Sequence, residues 1–299
     1  MKRNFIGYGK EKPKILWPQE NKIAVSFVVN IEEGAELSIS SGDSQNEHVY
    51  ENNKIKISDI PDLCMESHFE YGLRSGIWRI FDVFDKYNVK ATFSCCSLAL
   101  ENSPWLIDEI LNRNHEISAH GVKWISHAYL DRTEEKQIIN ECYSSILKLS
   151  GHPPVGWHTN SSTSPFTRDL LFEHGGFIYD SNAYNDDIPY VVKNNDHKLA
   201  IIPYSFDTND MRFDGNNGFV QGDDFNIYCK ESFNQILRET DDGSLRMMSI
   251  GLHPRIIGRP GRIKGLEDFI KHIKTYENVW IPKRMDIAKY LSLIHISEP

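Results

Sequence analysis

Residues 22–31 read KIAVSFVVNI and run directly into the acidic stretch EEGAE at 32–36. Apolar side chains fill this run with little alternation between polar and apolar positions, which predicts a strand buried on both faces, as in a parallel sheet. Apolar residues at helical spacing follow at 76–87, and a second strand-like run, VKATFSCC, occupies 89–96. The order strand, helix, strand is typical of an α/β fold.

The same alternation extends through the rest of the chain. Further strands are predicted at 116–120, 155–157, 177–180, 199–206, 246–252 and 279–282, and helices at 104–112, 133–149, 168–174, 230–240 and 263–275, with Thr133 as the cap of the longest helix. About seven strand–helix units predict that the sheet curls into a distorted (β/α) barrel. No linker or repeat divides the sequence, so we expect one catalytic domain over 1–299, with its core at about 20–290. The end of the chain, 292–299, has no clear pattern and is assigned no structure.

The composition excludes several classes of protein. The 299 residues are 40% hydrophobic and 25% charged, which is typical of a globular chain. The net charge of −9 and the scattered basic residues argue against binding to nucleic acid or to an anionic membrane. No apolar run approaches the ~20 residues of a membrane helix, and the N-terminal segment has no signal-like apolar stretch, so we expect a cytoplasmic protein. The five cysteines have no regular spacing, so we expect neither a disulfide framework nor a zinc site, and Cys95 and Cys96, adjacent in an apolar run, are expected to be small buried residues.

Chemically active residue types follow the predicted strands. Active sites of strand–helix barrels lie at the carboxyl ends of the strands. Each residue type has an ordinary explanation by itself, since glutamates are mostly solvated, histidines occur in loops, and the Asp186–Asp187 pair suits a surface turn. Their joint occurrence at five strand ends favours an active site. These ends carry Glu32 and Glu33, His120, Asp180, Asp207 with Asn209, and His253 with Arg255.

Six longer motifs resemble a known family. They are NIEEGAE at 30–36, HFEYG at 68–72, HGVKWI at 120–125, YDSNAYNDDIPY at 179–190, PYSFDTNDMRF at 203–213 and MMSIGLHPRIIGRPGR at 247–262. Together they resemble the cofactor-independent allantoinases, a branch of the polysaccharide deacetylase (NodB-like) superfamily. The resemblance implies a cytoplasmic hydrolase of purine catabolism that opens the hydantoin ring of allantoin to allantoate. It also implies a homo-oligomer, with a tetramer expected.

The motifs depart from the metal-binding pattern of the wider superfamily. Its deacetylases carry an aspartate pair after the first strand and H-[S/T]-x-x-H after the third, where this chain has Glu32-Glu33 and His120-Gly-Val-Lys-Trp124. His127 is seven residues beyond His120, about 10 Å along a helix axis, and does not replace the missing ligand. We therefore expect no metal and no other cofactor. The alternative is a zinc ion held by Glu33 and His120.

Roles follow from the chemistry of metal-free amide hydrolysis. Either Glu32 or Glu33 is expected to activate water, because adjacent buried carboxylates push one pKa upward. Either His253 or His120 is the expected acid, and Arg255 is a candidate to stabilise the oxyanion. The expected substrate-binding residues are Glu36, Trp124, Trp157, Tyr184, Asn185, Asp186, Asp207, Asn209 and Arg255. For the aromatic members, packing beneath the barrel mouth is an equally good explanation.

The residue at position 160 leaves the identity of the substrate undecided. The family resemblance implies an arginine where this chain has Asn160. Because allantoin and acetylated amino sugars both present an amide, either small molecule suits this site. Two alternatives to the allantoinase interpretation remain, namely a metal-dependent N-deacetylase of peptidoglycan or chitin-type sugars and a non-catalytic binder of a ureide or sugar. A purely structural protein would not need polar residues concentrated at strand ends.

Overall fold

The computed structural model describes residues 3–48, 56–160, 162–195, 197–213 and 218–294. Within these ranges nine strands form one sheet in the order β6-β7-β5-β4-β3-β2-β1-β8, with β9 also paired to β1. The strands are β1 (Ile23–Ile31), β2 (Thr92–Cys95), β3 (Glu116–Ala119), β4 (Gly156–Trp157), β5 (Tyr179–Asp180), β6 (Tyr190–Asn194), β7 (His197–Ile201), β8 (Arg246–Leu252) and β9 (Val279–Trp280). Every pairing is parallel except the β6–β7 hairpin.

Ten α-helices lie between or after these strands in the described ranges. They are α1 (Leu63–Tyr71), α2 (Ile77–Tyr87), α3 (Ser97–Asn102), α4 (Trp105–Asn112), α5 (Arg132–Ser150), α6 (Thr167–His174), α7 (Gly222–Glu239), α8 (Pro254–Ile257), α9 (Pro260–Ile273) and α10 (Arg284–Ile294). A π-helical turn, Gly72–Gly76, joins α1 to α2. None of the described helices is long and apolar enough to cross a membrane.

The strand β1 is the centre of the fold. All nine of its residues are buried, as its continuous apolar sequence predicts. It pairs with β8 along Ile23–Val29 and with β2 along Val28–Ile31. Its position between two parallel neighbours brings the carboxyl ends of β2 and β8 close to the residues that follow Ile31.

The sheet curls into a distorted, incompletely closed barrel, which confirms the predicted fold class. The edge strands β6 and β8 leave a gap in the barrel. The segment after β7 pairs with β8 there: Asn209 forms an isolated parallel bridge with Gly251, and the Gly251 N–H donates to the Thr208 carbonyl at 3.0 Å. The number of strands is higher than expected because β6, which pairs with β7 in a hairpin, was not predicted.

Several element boundaries differ from the prediction. The cap of α5 is Asp131, whose side chain accepts the Thr133 and Glu134 N–H groups, and not Thr133. The predicted strand at 199–206 ends at Ile201, since the chain then leaves the sheet to bridge the gap. Helix α10 includes the start of the unassigned tail, while 295–299 lie outside the described residues. Cys95 and Cys96 are buried, as expected, and so are Cys142 and Cys229, whereas Cys64 is exposed; all five are free.

Candidate active site

The carboxyl ends of β1, β3 and β8 place Glu32, His120 and His253 around one cavity of about 120 Å³. Each of these three residues directly follows its strand, so the parallel pairing of β1 with its neighbours sets their spacing. Trp124 and Asn209 line the same cavity, as does Asn160. The residues selected because they follow strands are therefore far apart in sequence but close together in the structure.

Glu32 is a buried carboxylate surrounded by cationic and hydrogen-bonding groups. Its Oε1 lies 3.4 Å from Nε2 of His120 and 3.4 Å from Nε2 of His253. Its Oε2 lies 2.7 Å from Nη2 of Arg255. Burial alone would raise the pKa of Glu32, but the charges of Arg255 and His253, with a hydrogen bond from His253, hold it well below its usual value. Glu32 is therefore ionised at neutral pH.

His253 is fixed by a buried carboxylate that the sequence analysis did not identify. Its Nδ1 lies 2.6 Å from Oδ1 of Asp210, and its backbone N–H donates to Oδ2 of Asp210 at 2.7 Å. Burial favours the neutral imidazole, but Asp210 and Glu32 outweigh it and raise the pKa of His253 to about 9. With Nδ1 donating to Asp210, the protonated ring directs its Nε2–H toward Glu32 and the cavity.

His120 is held in one tautomer by the main chain. Its Nδ1 donates to the carbonyl oxygen of His158 at 2.9 Å, because a carbonyl only accepts. In the neutral ring Nε2 then carries the lone pair, on the side of Glu32. The ring of His158 stacks on that of His120 at 5.0 Å and 11°. Burial, together with the neighbouring charge of Arg284, holds the pKa of His158 well below its usual value.

Glu33 and Arg255 lie behind the cavity and do not line it. Glu33 accepts the backbone N–H groups of Glu32 at 3.1 Å and Arg255 at 3.3 Å. Burial and the charge of Glu32 raise the pKa of Glu33, although Arg255 opposes them. The carboxylate fits only because residue 72 is glycine: a Cβ on Gly72 would lie 2.3 Å from Oε1 of Glu33.

The guanidinium of Arg255 is a buried positive charge beside Glu32. It is 1% exposed, and its Nη1 lies 3.5 Å from Oε1 of Glu33. The rings of Phe69 and Trp124 lie 4.3 and 5.2 Å from its central carbon. The role predicted for Arg255, direct contact with an oxyanion, does not fit this position. The structure places it where it keeps Glu32 ionised.

The remaining predicted binding residues lie outside the cavity. Four of them line a separate cavity of about 400 Å³ in the gap of the barrel, namely Tyr184, Asn185, Asp186 and Asp207. Trp157 packs against His127 and Phe177, which is the packing explanation given for the aromatic residues. Glu36 accepts the Gly34 N–H at 2.6 Å, and burial raises its pKa to about 7. Tyr184 also contacts a residue that lines the 120 Å³ cavity, because its hydroxyl lies 3.3 Å from Nε2 of His158.

Five residues that line the cavity were not predicted: Asn30, His158, Thr159, Tyr204 and Met211. Asn30 could have been predicted from the sequence, because it is a polar residue near the end of an otherwise apolar strand. Thr159 is also close to a predicted strand end. Tyr204 fell inside the strand that was predicted too long.

The donor set does not fit a metal centre of the deacetylase kind. Within the described ranges no group of three or more His, Cys, Asp or Glu side chains is arranged to hold a metal ion. Trp124 stands at the second histidine position, and the guanidinium of Arg255 already places a positive charge between Glu32 and Glu33. His127 points elsewhere, with its Nδ1 3.1 Å from Oε1 of Glu135.

Comparisons with known proteins agree with this fold. The family profile described as polysaccharide deacetylase matches residues 61–167. A Schizosaccharomyces pombe protein, named provisionally as a polysaccharide deacetylase, is 35% identical over 93% of this chain and 93% of its own. The chain belongs to the polysaccharide deacetylase (NodB-like) family, and it is a hydrolase of that family.

Two solved structures are similar over nearly the whole chain. The structure of PuuE allantoinase has a TM-score of 0.94 and 38% identity, and the match covers 99% of this chain and 98% of the other. A Pseudomonas aeruginosa PAO1 protein, also named provisionally as a polysaccharide deacetylase, gives the same TM-score of 0.94 and 38% identity, with 99% of both chains covered. These two similarities do not by themselves separate the two activities.

Proposed function

We propose that this protein hydrolyses a cyclic amide, with allantoin opened to allantoate, and that it does so without a metal ion. The arrangement that carries the proposal is Glu32 Oε1, 3.4 Å from Nε2 of both His120 and His253 in a small cavity. One ionised carboxylate, one imidazole lone pair and one imidazolium are the groups that amide hydrolysis requires when no metal activates the water. The similarity to PuuE allantoinase supports the same reaction.

The first step is attack by water. Glu32 accepts a hydrogen bond from the water and orients it, while Nε2 of His120 takes its proton. The water oxygen then bonds to the ring carbonyl carbon, and the C=O electron pair moves to the oxygen. Because the pKa of Glu32 is held well below its usual value, the carboxylate is a poor final proton acceptor, and His120 suits that role better.

The second step breaks the carbon–nitrogen bond. His253 enters protonated, and its Nε2–H is donated to the leaving ring nitrogen as the oxyanion collapses to a carboxylic acid. The ring opens to an acyclic ureide, and the carboxylic acid formed by the collapse releases the remaining proton of the water to solvent and becomes the carboxylate. The proton held by His120 then returns to His253, and Glu32 Oε1 is placed to relay it because it lies at the same distance from both rings.

The size of the cavity supports a small substrate. Its volume is about 120 Å³, and an engineered cavity of ~150 Å³ in another protein holds benzene. A five-membered ring is of that size.

The deciding experiment compares the two substrate classes with one enzyme preparation. The purified protein is given allantoin, followed by NMR of the ureide protons, and separately N-acetylglucosamine oligomers, followed by acetate release. Ring opening without acetate release is expected. Acetate release alone would refute the proposal and favour the deacetylase activity named for the family.

Two variants test the assigned roles. Glu32→Gln keeps the size of the side chain and removes its charge, so kcat should fall about 10²–10⁴-fold. Glu33→Gln is the matched control, and because Glu33 does not line the cavity, a fall in kcat as large as that of Glu32→Gln would contradict the assignment.

Asn160 lines the cavity, so Asn160→Arg, which restores the residue that the family resemblance implies, should lower the KM for allantoin.

A further inference from the structure

Three polar atoms on residues that line the cavity have no hydrogen-bond partner among the described residues. One of them, Oε2 of Glu32, is in the ion pair with Arg255 at 2.7 Å. The other two, Oδ1 of Asn30 and Nδ1 of His158, have no such partner and are on side chains that are 2% and 5% exposed. Other polar groups that line the cavity are paired: Thr159 Oγ1 donates to Asn182 at 2.8 Å, and Asn209 Oδ1 accepts the Met211 N–H at 2.9 Å. Buried polar atoms are normally paired, so an exception in a cavity indicates a group that a ligand satisfies.

The chemical identity of the Asn30 atom is fixed by its neighbours. Its Nδ2 donates to the Tyr204 hydroxyl at 2.9 Å and to the Leu252 carbonyl at 3.3 Å. A carbonyl only accepts, so the amide cannot be turned the other way. The free atom is therefore the oxygen, and Asn30 can only accept a hydrogen from a ligand.

His158 offers the complementary group. Its ring is neutral, so one nitrogen donates and the other accepts. When the Tyr184 hydroxyl, 3.3 Å from Nε2, donates to that nitrogen, Nδ1 carries the hydrogen. His158 and Asn30 contact the same side chain: the His158 ring lies 4.6 Å from the Tyr204 ring, and Asn30 binds its hydroxyl.

We infer that Asn30 and His158 determine substrate specificity by binding the N–H and C=O of one ring amide, so that the site selects five-membered cyclic amides and ureides. This inference rests on the proposed function and names the part of the substrate that is recognised. Asn30 Oδ1 accepts the ring N–H, and His158 Nδ1–H donates to the ring carbonyl oxygen.

The geometry of amides explains the selection. In a five-membered ring the amide is cis, so its N–H and C=O lie on the same edge and reach two adjacent partners together. A secondary acetamide is trans, because the cis form costs about 2.5 kcal/mol or more. Its N–H and C=O point in opposite directions, and an acetylated amino sugar cannot satisfy both atoms at once.

The test measures binding of two small rings without turnover. Hydantoin carries ring N–H groups and 1,3-dimethylhydantoin carries none, and each Kd is measured by calorimetry with wild type and with three variants. Wild type should bind hydantoin at least about tenfold more tightly than the dimethyl compound, the effect of one lost hydrogen bond. In Asn30→Leu this preference should disappear, whereas Asn30→Asp keeps an acceptor oxygen and should keep the preference.

His158→Phe keeps the stacked ring but removes Nδ1, and it should weaken both ligands by a similar factor. A preference that persists in Asn30→Leu would mean that the methyl groups are excluded by their size, and it would overturn the inference while leaving the proposed function intact. If wild type binds neither ring, the inference fails as well. If the preference disappears in Asn30→Leu but allantoin is not turned over, the recognition stands and the proposed reaction fails.

Discussion

The alkaline limit of activity should depend on Asp210. This carboxylate contacts His253 at two atoms, 2.6 Å from its ring nitrogen and 2.7 Å from its backbone nitrogen. The pKa of His253 is raised to about 9, and after the opposing effect of burial Asp210 is its first cause. If the protonated ring supplies the proton to the leaving nitrogen, kcat/KM should be constant near neutrality and fall as pH rises through about 9.

The perturbation is Asp210→Asn, which keeps an acceptor for Nδ1–H but removes the charge. An opposite charge at this separation shifts a pKa by about 1–3 units, so the alkaline limit should move down by that amount. Profiles of kcat/KM against pH measure it, and NMR titration of the His253 ring protons provides a readout that does not need turnover.

The amide nitrogen that this substitution introduces would face the N–H groups of His253 and Ile257, so the variant will also be less stable. The pH at which kcat/KM falls distinguishes a lower pKa of His253 from lower stability of the variant. Lost stability reduces the amount of active enzyme at every pH but does not change the pH at which kcat/KM falls. Asp241→Asn, at a site whose side chain is 75% exposed, removes the same charge and should leave the limit in place. An Asp210→Asn profile with its limit still near 9 would refute the role given to His253.

Three further predictions concern stability. Arg255→Met leaves two buried carboxylates without their counter-ion and should cost about 3–5 kcal/mol in urea unfolding, whereas Arg74→Met, at a 78% exposed ion pair, should cost less than about 1 kcal/mol; equal effects would contradict the buried network. Gly72→Ala places a Cβ 2.3 Å from Glu33 and should cost about 1–3 kcal/mol, and an unchanged unfolding midpoint would show that Glu33 moves freely. Burial lowers the pKa of His115 to about 4, so the contribution of the neutral ring to the free energy of unfolding is present above about pH 6.5 and is lost as pH falls toward 4. This loss amounts to about 3 kcal/mol. It should be absent when the His115→Phe variant is unfolded in urea over the same pH range.

The fold was predictable because its central strands have an unambiguous pattern. The strand β1 is apolar throughout, and parallel strands require crossovers, so the alternation of elements determined the architecture. The β6–β7 hairpin was missed because KNNDHK at 193–198 is polar and reads as a loop. The end of the strand at Ile201 was missed because LAIIPYSF at 199–206 stays apolar after the chain leaves the sheet.

The site was predictable only where chemistry coincides with a strand end. Glu32, His120 and His253 meet that condition and line the cavity. Asp210 does not, because it lies in a 3₁₀ turn (Asp210–Phe213) that reaches His253 only through the bridge across the barrel gap. The four residues in the 400 Å³ cavity were grouped with the site because linear sequence does not distinguish the two sides of that gap.

The homo-oligomer stays a prediction, and light scattering on a sizing column measures it. A mass equal to one 34.5 kDa chain would contradict it, whereas about four times that mass would agree with the expected tetramer.

The central claim is that this constellation hydrolyses a cyclic amide without a metal ion. The most direct measurement is turnover of allantoin by protein treated with EDTA, with the metal content determined on the same sample by mass spectrometry. We predict unchanged turnover at a substoichiometric metal content, with no increase when zinc is added back. Loss of turnover on chelation and its recovery with zinc would contradict the claim and would mean that the residues around Glu33 and His120 rearrange to hold a metal.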